Sequence, residues 1–313
     1  MGEILKVDGL VKRYKELVAV DHFGLSVQEG EILALLGPNG SGKSTTINCI
    51  LSLLEYDKGT ITIFGKEMSP KAYDIKKRIG VVPQDIAVFE ELTVYENIDF
   101  FCGLYIKDKE TRKQYVEEAI AFVGLEDFKK FHPKKLSGGL ARRLNIACGI
   151  AHKPDLIFFD EPTVAVDPQS RNKILEGIEQ LRANGATIIY TSHYMEEVEQ
   201  LADHIVIIDK GQEIAKGTVA ELKSMIKKCE LITIEARGIS DSHIAEIREL
   251  KNIYNVEYDG KVLKVEAGSG QHNVVDIISI LQKGGYSLKK VFSEQPTLND
   301  VFLELTGKQL RDD

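Results

Sequence analysis

The sequence predicts an α/β chain in two parts: a sheet-and-helix unit built around a phosphate-cradling loop, then a smaller α+β unit. Three observations carry this. Gly37-Pro38-Asn39-Gly40-Ser41-Gly42-Lys43-Ser44-Thr45 follows the apolar run 32–36 and leads at helical spacing into Thr46-Ile47-Asn48-Cys49-Ile50-Leu51. Compact apolar runs at 155–159, 187–191 and 204–209 read as buried strands with helical stretches among them. Near residue 221 the pattern resets into strand-helix-strand-strand-helix-strand. At 313 residues the chain is also long for one domain, so a nucleotide-binding part over 1–220 and an accessory part over 221–313 are expected.

Composition narrows the function classes. Hydrophobic residues make up 43% and charged residues 28%, the balance of a globular protein with a full core. A net charge of −8 argues against a nucleic-acid partner, which needs a basic face. The basic clusters Lys76-Lys77-Arg78 and Lys129, Lys130, Lys134, Lys135 are bracketed by acidic residues and read as solvated faces. Cys49, Cys102, Cys148 and Cys229 are far apart and form no Cys-x-x-Cys pair, so buried thiols are expected rather than a disulfide frame or zinc site. The amino-terminal residues lack a signal pattern, and no window approaches eighteen apolar residues. Any membrane-spanning part of the system would be another chain.

In chain order, 3–8, 18–27 and 31–36 read as strands, with Gln28-Glu29-Gly30 turning between the last two. Tyr14 falls in the polar segment between the first two strands, where it packs on the surface or stacks on a base. In the loop, glycines let backbone N–H groups point at an anion, and the following helix adds the positive end of its dipole. Lys43 can reach the β- and γ-phosphates, and the Ser44 hydroxyl can coordinate Mg²⁺. Residues 58–65 alternate as a half-exposed strand; 78–83 form another, delivering Gln84 to the strand's C-terminal edge, where ligands of α/β sheets bind. From about 93 to 151 helices dominate (93–105, 109–123, 139–151), a helical insertion.

Within it, Leu136-Ser137-Gly138-Gly139-Leu140 opens a helix, with Ser137 as N-cap and two glycines exposing N–H groups. A lone Ser-Gly-Gly is ordinarily just a capped turn. The strand 155–159 delivers Asp160-Glu161, whose side chains face different ways if alternation continues. One could hold Mg²⁺ through water while the other polarises the attacking water. The tight loop Thr163-Val164-Ala165-Val166-Asp167-Pro168 and the helix 169–184 follow. Strand 187–191 ends at Ser192-His193, and strand 204–209 with the turn Lys210-Gly211 completes the sheet.

From residue 3 to about 220 the chain resembles the nucleotide-binding subunit of an ABC transporter. The motifs occur in family order: Tyr14, the Walker A loop 37–45, Gln84 of the Q-loop, the signature 136–140, Walker B 156–160 with Glu161, Asp167 of the D-loop, and His193 of the H-loop. The resemblance implies a P-loop NTPase core with an antiparallel β subdomain and the helical insertion. It implies that the loop residues Gly37 to Thr46, Lys43 among them, bind ATP phosphates, with Thr45 on the α-phosphate and Tyr14 stacked on adenine. Ser44, Gln84 and Asp160 would organise Mg²⁺, Glu161 would be the general base, and His193 would steady it and the γ-phosphate. Ser137 and Gly139 would act across a homodimer on ATP held by a second subunit, and Gly138 and Asp167 belong to the same nucleotide-binding set. The chain departs from the family at Leu140, where glutamine is usual, and at Ala165-Val166, where glycine and leucine are commoner. No phosphate ligand is lost by either, and an active ATPase is expected.

The last ninety residues read as strand 231–235, helix 241–250, a hairpin 252–258 and 261–266 across Asp259-Gly260, helix 272–283, strand 286–293 and helix 297–306. That is the ferredoxin-like order, with no nucleophile or ligand cluster, and it suits regulation or dimer support. The ending from Gln295 to Gly307 resembles bacterial exporters of drugs, antibiotics and lipid-like compounds, which pair a separate ATPase with a separate permease. The expected protein is a cytoplasmic ATPase peripheral to the membrane's inner face, driving export. An importer ATPase is the alternative, and a soluble ABC ATPase acting on ribosomes or DNA is disfavoured by a single cassette, no heptad run and an acidic balance.

Overall fold

The computed structural model describes residues 2–226, 230–268 and 273–307. Described residues through Val219 form one compact unit and those from Ala220 onward a second.

The first unit opens with the long hairpin β1 (Glu3–Tyr14) and β2 (Leu17–Gln28), followed by β3 (Ile32–Leu36), α1 (Lys43–Ile50), β4 (Lys58–Ile63), β5 (Lys66–Glu67), α2 (Tyr73–Lys76) and β6 (Ile79–Val82). The helical insertion is α3 (Val94–Gly103), α4 (Lys109–Val123) and α5 (Gly138–Ile150). Then come β7 (Leu156–Asp160), α6 (Pro168–Ala183), β8 (Thr187–Ser192), α7 (Met195–Leu201), β9 (His204–Asp209) and β10 (Gln212–Gly217); α8 (Val219–Ser224) follows, all but its first residue in the second unit. Two sheets result. One is antiparallel, ordered β2-β1-β4-β5; the other is ordered β10-β9-β3-β8-β7-β6. In the second, β9, β3, β8, β7 and β6 run parallel, and β10 joins β9 antiparallel.

Why these segments take these forms is local chemistry first. All five residues of β3 and all six of β8 are buried, as strands covered on both faces must be. Thr93 and Glu96 close a reciprocal capping box at the start of α3. In α4, Asp108 accepts from the Thr111 N–H at 2.9 Å, and Gly124 ends the helix in the left-handed region at φ +65°. The core between the two sheets packs Leu5, Leu10, Phe23 and Ile61 with Leu33, Leu35, Ile47, Ile50, Phe158 and Ile189.

The second unit holds β11 (Glu230–Ala236), α9 (Asp241–Arg248), β12 (Ile253–Tyr258), β13 (Val262–Ala267), α10 (Asn273–Lys283), β14 (Leu288–Glu294) and α11 (Leu298–Thr306). Its antiparallel sheet is ordered β12-β13-β11-β14, the ferredoxin-like arrangement that the element order predicts. Ile244 and Ile247 of α9 and Ile277, Ile280 and Leu281 of α10 share a core with Ile232, Ile234, Leu263 and Val265 of the sheet. In the hairpin, Asp259 accepts from the N–H groups of Lys261 and Val262 at 2.8 and 2.7 Å while Gly260 takes φ +90°.

Several expectations need correcting. Tyr14 does not lie between strands: β1 and β2 continue through the polar stretch, and Tyr14 pairs with Leu17 at the hairpin end. Register shifts along this pair break the alternation that would have revealed it. The large sheet does not end at the turn 210–211, because β10 adds an antiparallel edge whose alternating half-exposed residues carry little apolar signal. The short helices α2 and α7 and the junction helix α8 were not anticipated. Cys49, Cys102 and Cys148 are buried free thiols, and burial pushes Cys49 and Cys102 up to about 11. Cys229 lies outside the described residues. Among the described residues no helix is long and apolar enough to cross a membrane.

Candidate nucleotide site

The loop between β3 and α1 is shaped by what its backbone touches. A Cβ on Gly37 would stand 2.3 Å from the Ile208 carbonyl oxygen, so no side chain fits there. Gly42 takes φ +109°, and a Cβ on it would meet the Ala19 oxygen at 2.6 Å. The Gly211 N–H donates to the Ser41 carbonyl at 2.8 Å, bracing the loop from the turn after β9. Gly42 is the N-cap of α1 and supplies no side-chain cap, so the helix's first N–H groups remain available to an anion. The Ser41 and Thr46 hydroxyls are buried without a hydrogen-bond partner. A buried orphan hydroxyl beside an uncapped helix start is what phosphate oxygens would satisfy. The cradle therefore fits a polyphosphate.

Beside it, four side chains from four segments converge. Lys43, 5% exposed, donates to the carbonyls of Gly37 and Pro38 at 2.8 and 3.1 Å and lies 3.2 Å from Glu161 Oε1. Glu161, also 5% exposed, has Gln84 Nε2 donating to its Oε2 at 3.2 Å and His193 Nδ1 at 3.3 Å from that oxygen. The Glu161 N–H donates to Thr191 Oγ1 at 2.9 Å. The orientation of Asp160 and Glu161 differs from simple strand alternation. Asp160 is the last residue of β7, whereas Glu161 turns into the left-handed region at φ +48°, a conformation costing a non-glycine residue about 1–3 kcal/mol. Asp160 Oδ1 accepts from Thr191 Oγ1 at 2.7 Å.

Donors that could hold Mg²⁺ are the half-buried Ser44 hydroxyl, Asp160, and the amide oxygen of Gln84, whose nitrogen faces Glu161. All are hard oxygen ligands, the set this cation takes.

A second group sits elsewhere in the unit. Ser137 caps α5, accepting from the Leu140 N–H at 3.3 Å, and Ser137 and Gly138 are exposed. Gly139 is buried against α6: a Cβ there would meet Ser170 Oγ at 2.4 Å and Asp167 Oδ2 at 3.2 Å. Asp167 caps α6 by accepting from the Ser170 N–H at 3.0 Å, and that bond holds its carboxyl below the usual range. Signature and D-loop are thus one surface of the chain. Ala165 takes φ +58°, which gives the family's usual glycine a physical reason. Tyr14 is 46% exposed, with Lys12 Nζ 5.0 Å from its ring centre, and no hydrogen bond among the described residues ties its side chain to either group.

Sequence reasoning missed two supports. Arg142 of α5 donates to the carbonyls of Pro83 and Gln84 at 3.2 and 2.5 Å, and Asn145 donates to Pro83 and accepts from the Ala87 N–H. The Q-loop is thereby fastened to the signature helix. Glu197 of α7, 3% exposed, gathers Tyr190, Thr163 and Ser192 hydroxyls on Oε2 at 2.5, 2.8 and 3.2 Å. Arg171 Nε lies 3.3 Å from its Oε1. Burial, with the Glu197 charge beside it, pushes the Tyr190 phenol well above its ordinary range. The only sequence signal for this hub was a glutamate on the apolar side of a short helix.

Comparison with known proteins places the chain in a family. The ABC transporter family profile matches residues 20–164, and that of the DrrA1-3-like ATP-binding protein C-terminal domain matches 217–306. The linearmycin resistance ATP-binding protein LnrL of Bacillus subtilis is 39% identical over 99% of this chain and 100% of its own length. The daunorubicin resistance ATP-binding protein DrrA3 of Streptomyces coeruleorubidus is 32% identical over 98% of this chain and 97% of its own. Among solved structures, an ATP-binding subunit of an ABC transporter superposes with TM-score 0.66 at 28% identity, over 71% of this chain and 92% of that one. A dimeric ATP-binding cassette in a post-hydrolysis state with ADP and Pi gives 0.64 at 27%, over 69% and 98%. The chain belongs to the ABC transporter family, as an ATP-binding, ATP-hydrolysing subunit carrying a DrrA-like C-terminal domain.

Proposed function

We propose that the chain powers a separate membrane permease that exports a drug-like, antibiotic or lipid-like compound, working as a homodimer on the cytoplasmic face. The observation that carries the catalytic part is the convergence of Lys43, Gln84 and His193 on the buried carboxylate of Glu161. ATP phosphates would lie along the loop from Gly37 to Thr46, with Tyr14 against the adenine. Lys43 would pass from Glu161 to the β- and γ-phosphates, leaving Glu161 to accept a proton from the attacking water while His193 steadies both. Mg²⁺ would be held by Ser44, Gln84 and Asp160 and would neutralise developing charge on the phosphates. The exposed Ser137 and Gly138, with Gly139 and Asp167 behind them, would complete the site of a second copy.

Two observations support the coupling to a permease. Phe89 and Phe100, 43% and 44% exposed with ring centres 5.0 Å apart, form an aromatic patch in the segment after Gln84 and on α3. That segment is pinned to α5 by Arg142 and Asn145, so a push on it reaches the signature serine. Export, rather than import, is supported by relatives named for drug resistance and by the Nod factor export ATP-binding protein of Ralstonia nicotianae, 34% identical over 99% of this chain. We assign residues 1–220 to the nucleotide-binding domain and 221–313 to an accessory domain.

Glu161→Gln tests the reading. Turnover should fall about 10²–10⁴-fold, the usual worth of a general base, while ATP-driven dimers accumulate. Near wild-type hydrolysis in that variant would overturn the assignment.

A further inference from the structure

In the second unit, β14 is an edge strand whose ladder bonds all go to β11. Its last six residues, Lys289-Lys290-Val291-Phe292-Ser293-Glu294, are all exposed, and Phe292 is 56% exposed. Its outer edge has no backbone partner among the described residues. An edge that offers free N–H and C=O groups along a strand with a large exposed aromatic is a pairing site unless something blunts it. The strand has no proline, and its charges, Lys289, Lys290 and Glu294, would blunt the edge against most strands but not against one that pairs them with opposite charge.

The side-chain order says which strand would pair there. Opposite residues in the β11–β14 ladder share a face, so Phe292 lies with Thr233, Lys290 with Glu235 and Glu294 with Leu231, away from the core residues Ile232 and Ile234. That outer face therefore reads Lys290, Phe292, Glu294. Two copies of β14 related by a two-fold axis beside Phe292 would run antiparallel, with Phe292 facing its own copy and Lys290 facing Glu294 of the second copy, twice. Moving the axis to Val291 sets Lys290 against Phe292 and Glu294 against Leu288; moving it to Ser293 sets Phe292 against Glu294. Only the register at Phe292 pairs both charges and the aromatic together. The other edge, β12, reads Ile253-Tyr254-Asn255-Val256-Glu257-Tyr258 and holds no cation to pair.

We infer that β14 is a self-association surface: the second unit binds a second copy of this chain through an antiparallel β14–β14 contact centred on Phe292. The contact is isologous, as a two-fold homodimer requires, and needs no nucleotide. It is distinct from the closure on ATP proposed above.

The test is sedimentation of the full chain without nucleotide, as wild type, Phe292→Asp, Lys290→Glu, Glu294→Lys and the double Lys290→Glu/Glu294→Lys. The wild type should dimerise reversibly. Phe292→Asp and each single charge reversal should weaken the dimer about tenfold or more, and the double reversal should restore it to within about threefold of wild type. Phe292→Asp placed in Glu161→Gln should still form ATP-dependent dimers, which separates this contact from the nucleotide-driven one. A wild type that stays monomeric without nucleotide, or a double reversal no better than the single changes, would overturn the inference.

Discussion

The loop after β3 and the loop before α5 are alike in plan, each opening a helix with glycines, yet they are built for different company. The first is enclosed: Gly37 and Gly42 have no room for a Cβ, Lys43 is buried, and the turn at Gly211 braces Ser41. The second is presented: Ser137 and Gly138 are exposed, and a Cβ on Gly138 would find its nearest neighbour, the Ala165 oxygen, at 4.0 Å. Glycine in the first loop answers to the chain's own packing. Gly138 faces open space, where the chain's own packing makes no such demand.

The largest expected effect lies in exchanging that logic. Gly37→Ala should cost about 2–3 kcal/mol of stability by overpacking and weaken nucleotide binding, with turnover down on the order of 10³-fold. Gly138→Ala should leave melting temperature and single-chain ATP affinity unchanged and lower only turnover and dimer formation. Loss of affinity in Gly138→Ala, measured by titration of nucleotide into dilute protein, would break the comparison.

A smaller effect is expected behind the enclosed loop. Glu197 hangs Thr163, two residues after Glu161, and Ser192, the residue before His193, on one carboxylate. Glu197→Gln should lower kcat about 10–100-fold by misplacing both groups, with KM within about twofold. Glu197→Asp should recover part of kcat, which a purely structural defect read only in stability would not.

The smallest effect concerns the presented surface. Ala165 holds φ +58° next to the signature glycines. Ala165→Gly should raise stability by about 0.5–1 kcal/mol in thermal denaturation, the relief of a left-handed alanine less the entropy glycine adds to the unfolded chain. A destabilised variant would show that the strain is compensated elsewhere.

How much of this was legible in the sequence follows from how local each signal is. Glu161 and His193 come directly after strands and Gln84 two residues after one, and parallel strands deliver their ends to one edge, so their meeting could be anticipated. The buried runs of β3, β7 and β8 were equally plain, because a strand covered on both faces advertises itself. What stayed hidden depends on partners far away in sequence. Arg142 reads as one charge among several until its guanidinium is seen on the Gln84 carbonyl. Glu197 lies on the apolar side of a short helix, a placement that acquires meaning only when three hydroxyls are found on it. The extension of β1 to Tyr14 was masked by register shifts, and β10 by half-exposed alternation. The left-handed turn at Glu161 has no sequence mark at all, since glutamate rarely takes it.

The contact between Lys43 and Glu161 has one more consequence. If Lys43 serves the phosphates as proposed, the carboxylate is an intramolecular competitor, tethered at high effective concentration, for the same ammonium. ATP affinity would then measure the difference between two ion pairs rather than the strength of one. Removing the Glu161 charge should therefore tighten nucleotide binding as well as stall hydrolysis, so the trapped dimers of Glu161→Gln would owe their persistence to both.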